Sequence, residues 1–202
     1  MRIGRELNDV YYFYRLGLRS ISLELSAVIT SFTAVLLGAR GVRMTWPWYL
    51  ISASLYALFF YQVDLIASAL LQFVFIAAAI WGWLGWKKSG VLPRYMNNKE
   101  RLIWLSALIA SWLITAPALE NIGAAATLPD SFLLISSTLA QAAMVLQRNE
   151  TWIAWIVIDI FGTYHYANQG YWFTALLYGV FTVIAFFGLK RWKKLSSSAN
   201  PI

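Results

Sequence analysis

Displaced by 106 positions, residues 24–88 lie over residues 130–194 without a gap, with fifteen identities in sixty-five pairs. Ala69-Leu70-Leu71 pairs with Ala175-Leu176-Leu177, Val74-Phe75 with Val180-Phe181, and Gly82 with Gly188. Trp86-Lys87-Lys88 pairs with Trp192-Lys193-Lys194, Thr45-Trp46 with Thr151-Trp152, and Glu24 with Asp130. Chance similarity between apolar helices accounts for the Leu and Ala matches. It does not account for an ungapped register that ends in Trp-Lys-Lys. The chain is therefore read as a duplication, and it must fold as two like units.

Those units are apolar. The chain is 60% hydrophobic and 12% charged, about half the charge of a soluble domain. Eleven Trp, eleven Tyr and twelve Phe suit aromatic belts at two membrane interfaces. The composition predicts an all-α membrane protein with seven transmembrane helices, near 21–39, 46–62, 65–86, 102–119, 131–147, 151–168 and 171–190, each about long enough to cross the hydrocarbon. Pro47 suits a first helical turn, and Pro117 is expected to end or kink the fourth helix. Residues 1–19 are polar and basic around the aromatic patch Val10–Tyr14, which predicts a short interfacial helix. No cleavable leader is read there.

The predicted organisation is an N-terminal segment 1–19, a first three-helix repeat 20–88, a linker with the fourth helix 89–129, a second repeat 130–194 and a disordered tail 195–202. A single span between the repeats gives both the same orientation. This is a parallel 3+1+3 arrangement, similar to small sugar transporters of the SWEET type, with a site between the bundles near the midplane.

A net charge of +7 raises nucleic acid as a partner, but the basic residues sit at the ends of apolar runs rather than on one face. Twelve of the sixteen fall on one side of the expected membrane: Arg40, Arg43, Lys87, Lys88, Arg94, Lys99, Arg101, Arg148, Lys190, Arg191, Lys193 and Lys194. The other side has only Arg2, Arg5, Arg15 and Arg19, and its loops near 63, 125 and 169 have none. The C-terminus is therefore expected in the cytoplasm. With no cysteine and one histidine, His165, thiolate chemistry and a zinc site are not expected. No P-loop is present. Neither catalysis nor a cofactor is expected, and facilitated diffusion is the simplest reading.

Nine acidic residues are present, and only Asp159 falls in the middle of a span. Trp152, Trp155 and Asp159 stand at i, i+3 and i+7, on one helical face. A carboxylate in a bilayer costs about 2.5–3.5 kcal/mol on insertion scales, so it should face a cavity or a partner. Its repeat counterpart is Ala53, so the fold itself does not require it. Trp155, opposite Tyr49 in the repeat, is the stacking candidate, since an indole attracts flat cations. Trp152 and its counterpart Trp46 start their spans, which favours an interfacial belt role for that pair. Ser137 and Gln141 stand at i, i+4, and Gln72 and Tyr178 occupy equivalent positions. These could bind substrate or join helices. His165 is placed near the end of the sixth span.

Trp152-x-x-Trp155-x-x-x-Asp159 resembles the Trp-x-x-Trp-x-x-x-Asn/Asp signature of the nicotinamide riboside transporter (Pnu) family of bacterial vitamin transporters. Asp130-Ser131, Gly170-Tyr171, Ala175-Leu176-Leu177-Tyr178 and Gly188…Trp192 are similar to that family's second half. Glu24, Tyr61-Gln62, Leu70-Leu71-Gln72 and Trp81-Gly82-Trp83…Trp86 are similar to its first. The resemblance covers about residues 20–194. It implies a bacterial inner-membrane facilitator, usually a homotrimer, that carries an unphosphorylated vitamin trapped afterwards by a cytoplasmic kinase. The expected substrate-binding set is Trp155, Asp159, Trp152, Gln141, Ser137, Tyr178, Gln72 and Tyr49. Members that carry nicotinamide riboside often have Asn at the last signature position. An ionised Asp only accepts hydrogen bonds, which suits the aminopyrimidine and cationic thiazolium of thiamine. Thiamine is narrowly expected over nicotinamide riboside, with riboflavin or a nucleoside as further alternatives and an intramembrane enzyme as a less favoured one.

Overall fold

Each apolar run forms a helix. In the computed structural model these are α1 (Ile3–Arg40), α2 (Thr45–Gln62), α3 (Ile66–Gly85), α4 (Asn98–Asn121), α5 (Leu128–Val145), α6 (Glu150–Asn168) and α7 (Trp172–Ala199). The structure describes residues 3–62, 66–121, 128–168, 170 and 172–199, with side chains for 22–62, 69–117, 128–129, 131–168, 170, 172 and 175–198. Val10–Tyr14, Asp64, Glu120, Asp130, the four N-terminal arginines and the loops near 63 and 125 lie outside the described side chains.

Three expectations are corrected. Residues 3–19 are the first part of α1, which runs unbroken to Arg40, since an isolated glycine such as Gly17 costs a helix only about 1 kcal/mol. Pro117 does not end α4, which continues to Asn121; proline is tolerated in apolar helices where local adjustments re-satisfy the freed carbonyl. The tail is helical to Ala199. Leu195 packs against the main core, and Ser196 Oγ accepts a 2.7 Å hydrogen bond from Asn149 Nδ2.

The outer surface is apolar. Ser22–Arg40 and Ala175–Ser198 have mean hydropathies of 1.6 and 1.3, yet only 22% and 28% of these stretches is buried. Leu84, Ile114, Val183 and Leu176 are among the large apolar side chains left exposed. A soluble protein does not expose so much contiguous apolar surface, and the helices are read as facing lipid.

Contacts follow the duplication. α1 packs on α2 and α2 on α3; α5 packs on α6 and α6 on α7; α1 meets α7, α3 meets α5, and α4 rests on α5. The turns closing α1 and α5 are built alike. Val42 N–H reaches Leu37 O at 3.0 Å, and Arg148 N–H reaches Ala143 O at 2.9 Å. The positive-φ residues there are Gly41 (78°) and Gln147 (59°), which are repeat counterparts, as in a helix-ending Schellman turn. Thr45 Oγ1 donates to Ala34 O at 2.7 Å, and Thr151 Oγ1 to Ala140 O at 2.8 Å.

Four indoles join the halves at the Lys/Arg-rich end. Trp46 and Trp86 lie 5.0 Å apart, Trp86 and Trp192 5.7 Å, and Trp192 and Trp152 5.5 Å, all edge to face. Trp86 Nε1 donates to Val145 O at 3.1 Å, and Trp192 Nε1 to Gly38 O at 2.9 Å. The last tryptophan of one half thus binds the first helix of the other.

The linker after α3 straps both halves. Val91 N–H donates to Gly41 O, and Arg94 N–H to Gln147 O. Asn97 and Glu100 exchange side chain-to-backbone hydrogen bonds of 3.0 and 2.8 Å, a capping box that starts α4. Glu100 pairs with Arg94 at 2.5 Å and Arg148 at 3.3 Å, and Glu150 pairs with Arg101 at 2.9 Å. The Arg94 hydrogen bond holds the Glu100 carboxyl down at about 2.

Candidate functional site

α6 sorts its residues cleanly. Trp152, Ile158, Asp159 and Gly162 are buried, while Ile153, Val157, Ile160 and Tyr164 are exposed. The seven-residue spacing from Trp152 to Asp159 spans two turns of the buried face. Asp159 is the tenth of nineteen residues in α6 and only 3% exposed. Among the described residues its carboxylate forms no ion pair and no hydrogen bond; only its backbone carbonyl has a side-chain partner, Thr163. It lies within electrostatic range of Tyr49 on α2 and Tyr178 on α7. Its charge therefore reaches a tyrosine from each half.

The other expected residues divide. Trp155 is half-buried and packs against both hydrophobic clusters, the tryptophan core and the smaller Leu133, Ala140, Ile158 cluster. Ala140 precedes Gln141 on α5 and Ile158 precedes Asp159 on α6, so that cluster sets the two polar residues on adjoining helices. Gln141 is 3% exposed, and its amide has no hydrogen bond among the described residues. Tyr178 lies over Gly162, where a Cβ would strike its ring, and its ring centroid is 5.3 Å from that of Tyr166. In the first half Gly162 is matched by Tyr56 and Tyr178 by Gln72, so the halves exchange bulk at this level. Tyr49 tilts against Trp46 at 5.9 Å and reaches Met144 Sδ at 4.0 Å. Gln72 is buried and Ser137 half-buried; no described contact joins either to Asp159. His165 stacks on Phe161 at 6.1 Å and meets Tyr166 edge-on at 5.2 Å.

The belt role expected for Trp46 and Trp152 is corrected. They are 0% and 1% exposed, inside the tryptophan core. Gly82 and Gly188 make the room, since a Cβ on either would strike the facing indole. The Nε1 atoms of Trp46 and Trp152 are buried with no partner among the described residues, an unusual expense repeated at equivalent positions. The sequence reading missed Trp86 and Trp192 as core residues and Tyr166 as a neighbour of Tyr178. The Gly82/Gly188 identity was the available signal.

Chemically, α6 offers a buried acceptor, Asp159, one turn from the half-buried Trp155 indole. Among the described residues no three acidic or imidazole groups cluster as metal ligands.

Comparison with known proteins bears on this arrangement. The family model described as nicotinamide mononucleotide transporter matches residues 21–194. The chain is 25% identical over 174 residues to the nicotinamide riboside transporter PnuC of Escherichia coli, covering 71% of this chain and 73% of that one. It is 25% identical over 181 residues to the riboflavin/roseoflavin transporter RibM of Streptomyces davaonensis, covering 81% of each. It is 26% identical over 188 residues to the PnuC of Neisseria mucosa, covering 84% of this chain and 71% of that one. The crystal structure of the vitamin B3 transporter PnuC superposes with a TM-score of 0.75 at 22% identity, covering 96% of this chain and 93% of that one. That likeness establishes the fold.

Proposed function

Because the chain belongs to the nicotinamide mononucleotide transporter family, a family of membrane transporters, we propose that it is a facilitator for an unphosphorylated, flat, cationic vitamin. The observation that carries this reading is Asp159: a mid-helix carboxylate, 3% exposed, with no ion pair among the described residues. A lone anion at that depth is costly, and a cationic ligand would offset the cost. Trp155 stacks on the ligand ring, and Gln141, Tyr49 and Tyr178 supply polar contacts. Gln72, Ser137 and Trp152 border the site. No coupling machinery is needed, and a cytoplasmic kinase traps the product by phosphorylation.

Nicotinamide riboside is supported by the names of the relatives. Thiamine is the second reading, favoured by Asp159 itself, whose acceptor-only carboxylate suits an aminopyrimidine donor. The helices form two parallel three-helix units around the site, with α4 between them, as in SWEET-like transporters. The assembly is a homotrimer in the inner membrane, with the basic end in the cytoplasm. Calorimetric titration of the purified protein tests the ligand class. Nicotinamide riboside and thiamine should compete for one site, with uncharged riboflavin weaker by about tenfold or more. Riboflavin binding tighter than either cation would overturn the cationic reading.

A further inference from the structure

The turn after α1, the start of the linker after α3 and the end of α7 line an open cavity of about 230 Å³ whose lining includes Arg40, Gly41, Arg43, Lys88, Ser89 and Arg191. Four of its lining side chains are cationic and none is acidic. We infer that this cavity binds a phosphoryl anion, supplied either by a soluble phosphate ester or by the headgroup of an anionic lipid.

The second half shows what a satisfied version of this corner looks like. There Arg94, Arg101 and Arg148 are each ion-paired with Glu100 or Glu150, and the Gln147 side chain accepts from Leu92 N–H at 2.6 Å. The counterpart of Glu150 is Met44, and that of Gln147 is Gly41. The first half therefore lacks both the carboxylate and the side chain that would occupy the space. Among the described residues Arg40, Lys88 and Arg191 form no ion pair and no side-chain hydrogen bond.

Cations after a helix often serve its last carbonyls, but here backbone and indole N–H groups serve several carbonyls of the turn. Leu37 O accepts from Val42 N–H, Gly38 O from Gly41 N–H and Trp192 Nε1, and Gly41 O from Val91 N–H. Arg43 is held ready. Its Nε and Nη2 donate to Trp83 O at 3.0 and 2.5 Å, and its guanidinium lies 3.9 Å over the Trp83 ring, leaving Nη1 for a ligand. Gly41 and Gly90 adopt φ of 78° and 107°, so backbone alone forms one wall. A Cβ on Gly90 would sit 2.6 Å from Gly41 O. Basic pockets between membrane helices suit phosphate headgroups, and phosphate esters share that chemistry.

The test uses the full chain in a neutral detergent. One arm titrates ribose 5-phosphate by calorimetry. The other compares phosphatidylglycerol with phosphatidylcholine adducts by native mass spectrometry. Binding in the first arm alone identifies a soluble ester, and in the second alone a headgroup; either supports the site. The triple variant Arg40→Gln, Lys88→Gln, Arg191→Gln should bind about a hundredfold more weakly. Ser89→Glu, which supplies the missing carboxylate, should abolish binding. A charge-matched variant outside the cavity, Lys99→Gln, Lys193→Gln, Lys194→Gln, should lose less than about threefold. The proposal is overturned if neither probe binds, or if the charge-matched variant loses as much as the cavity variant.

Discussion

Replacing Gly188 by alanine probes the contact on which the tryptophan core depends. The new Cβ would lie 2.6 Å from Trp152 Cδ2 and 2.7 Å from Cε2 and Cε3, so ring or helix must give by about 1 Å to restore normal contact. The ring has little freedom, being 1% exposed and held edge-on by Trp192 at 5.5 Å. Overpacking of this kind costs about 1–3 kcal/mol, while exchanging glycine for alanine within a helix returns about 1 kcal/mol. Gly179 lies in the same helix with no atom within 4 Å of its Cβ direction, so Gly179→Ala has the gain without the clash. The helix preference cancels between the two variants, which should differ by about 1–3 kcal/mol. A 2 kcal/mol gap is about 4–8 °C in thermal midpoint for a chain of this size. Midpoints of the detergent-solubilised variants measure it. Adding Trp152→Phe to Gly188→Ala should recover part of the loss, because the smaller ring vacates the space. Equal midpoints for the two alanine variants, or no recovery in the double variant, would refute the packing argument.

Other outcomes follow from the same structure. Trp155→Ala should weaken vitamin binding by about 1–3 kcal/mol if its indole stacks on the ligand, as read by calorimetry. Thr45→Val and Thr151→Val should each cost about 0.5–1.5 kcal/mol of thermal stability, and by similar amounts, because each loses an equivalent buried hydrogen bond to a helix carbonyl. Glu100 is held at about 2, below its ordinary 4.5. A depressed carboxyl stabilises the fold fully above 4.5 and loses that contribution as pH falls toward 2. The midpoint difference between the wild type and Glu100→Gln should be constant above about pH 5 and shrink on acidification.

Much of this was legible because a bilayer fixes the length of what crosses it. Seven apolar runs give seven helices, and the 106-residue register places counterparts correctly down to the hydrogen bonds of Thr45 and Thr151. The burial of Asp159 was legible because a carboxylate in the middle of an Ile- and Val-rich span has few favourable places. Trp46 and Trp152 were not, since an indole near a span end has the same signature in an interfacial belt and in a core. Only the facing glycines, thirty-six residues further on in each half, distinguish the two. The strap of Arg94, Glu100, Arg148 and Glu150 was hidden for a similar reason. Loop charges identify a side of the membrane, but their pairing depends on how the linker crosses both halves.

Uptake of labelled nicotinamide riboside and thiamine into proteoliposomes without any ion gradient, comparing the wild type with Asp159→Asn, tests the central claim most directly. The account predicts entry that stops when inside and outside concentrations match, and a loss of about tenfold or more in cation affinity for the variant. Uptake of neither vitamin without a gradient, or an unchanged affinity in Asp159→Asn, would contradict it.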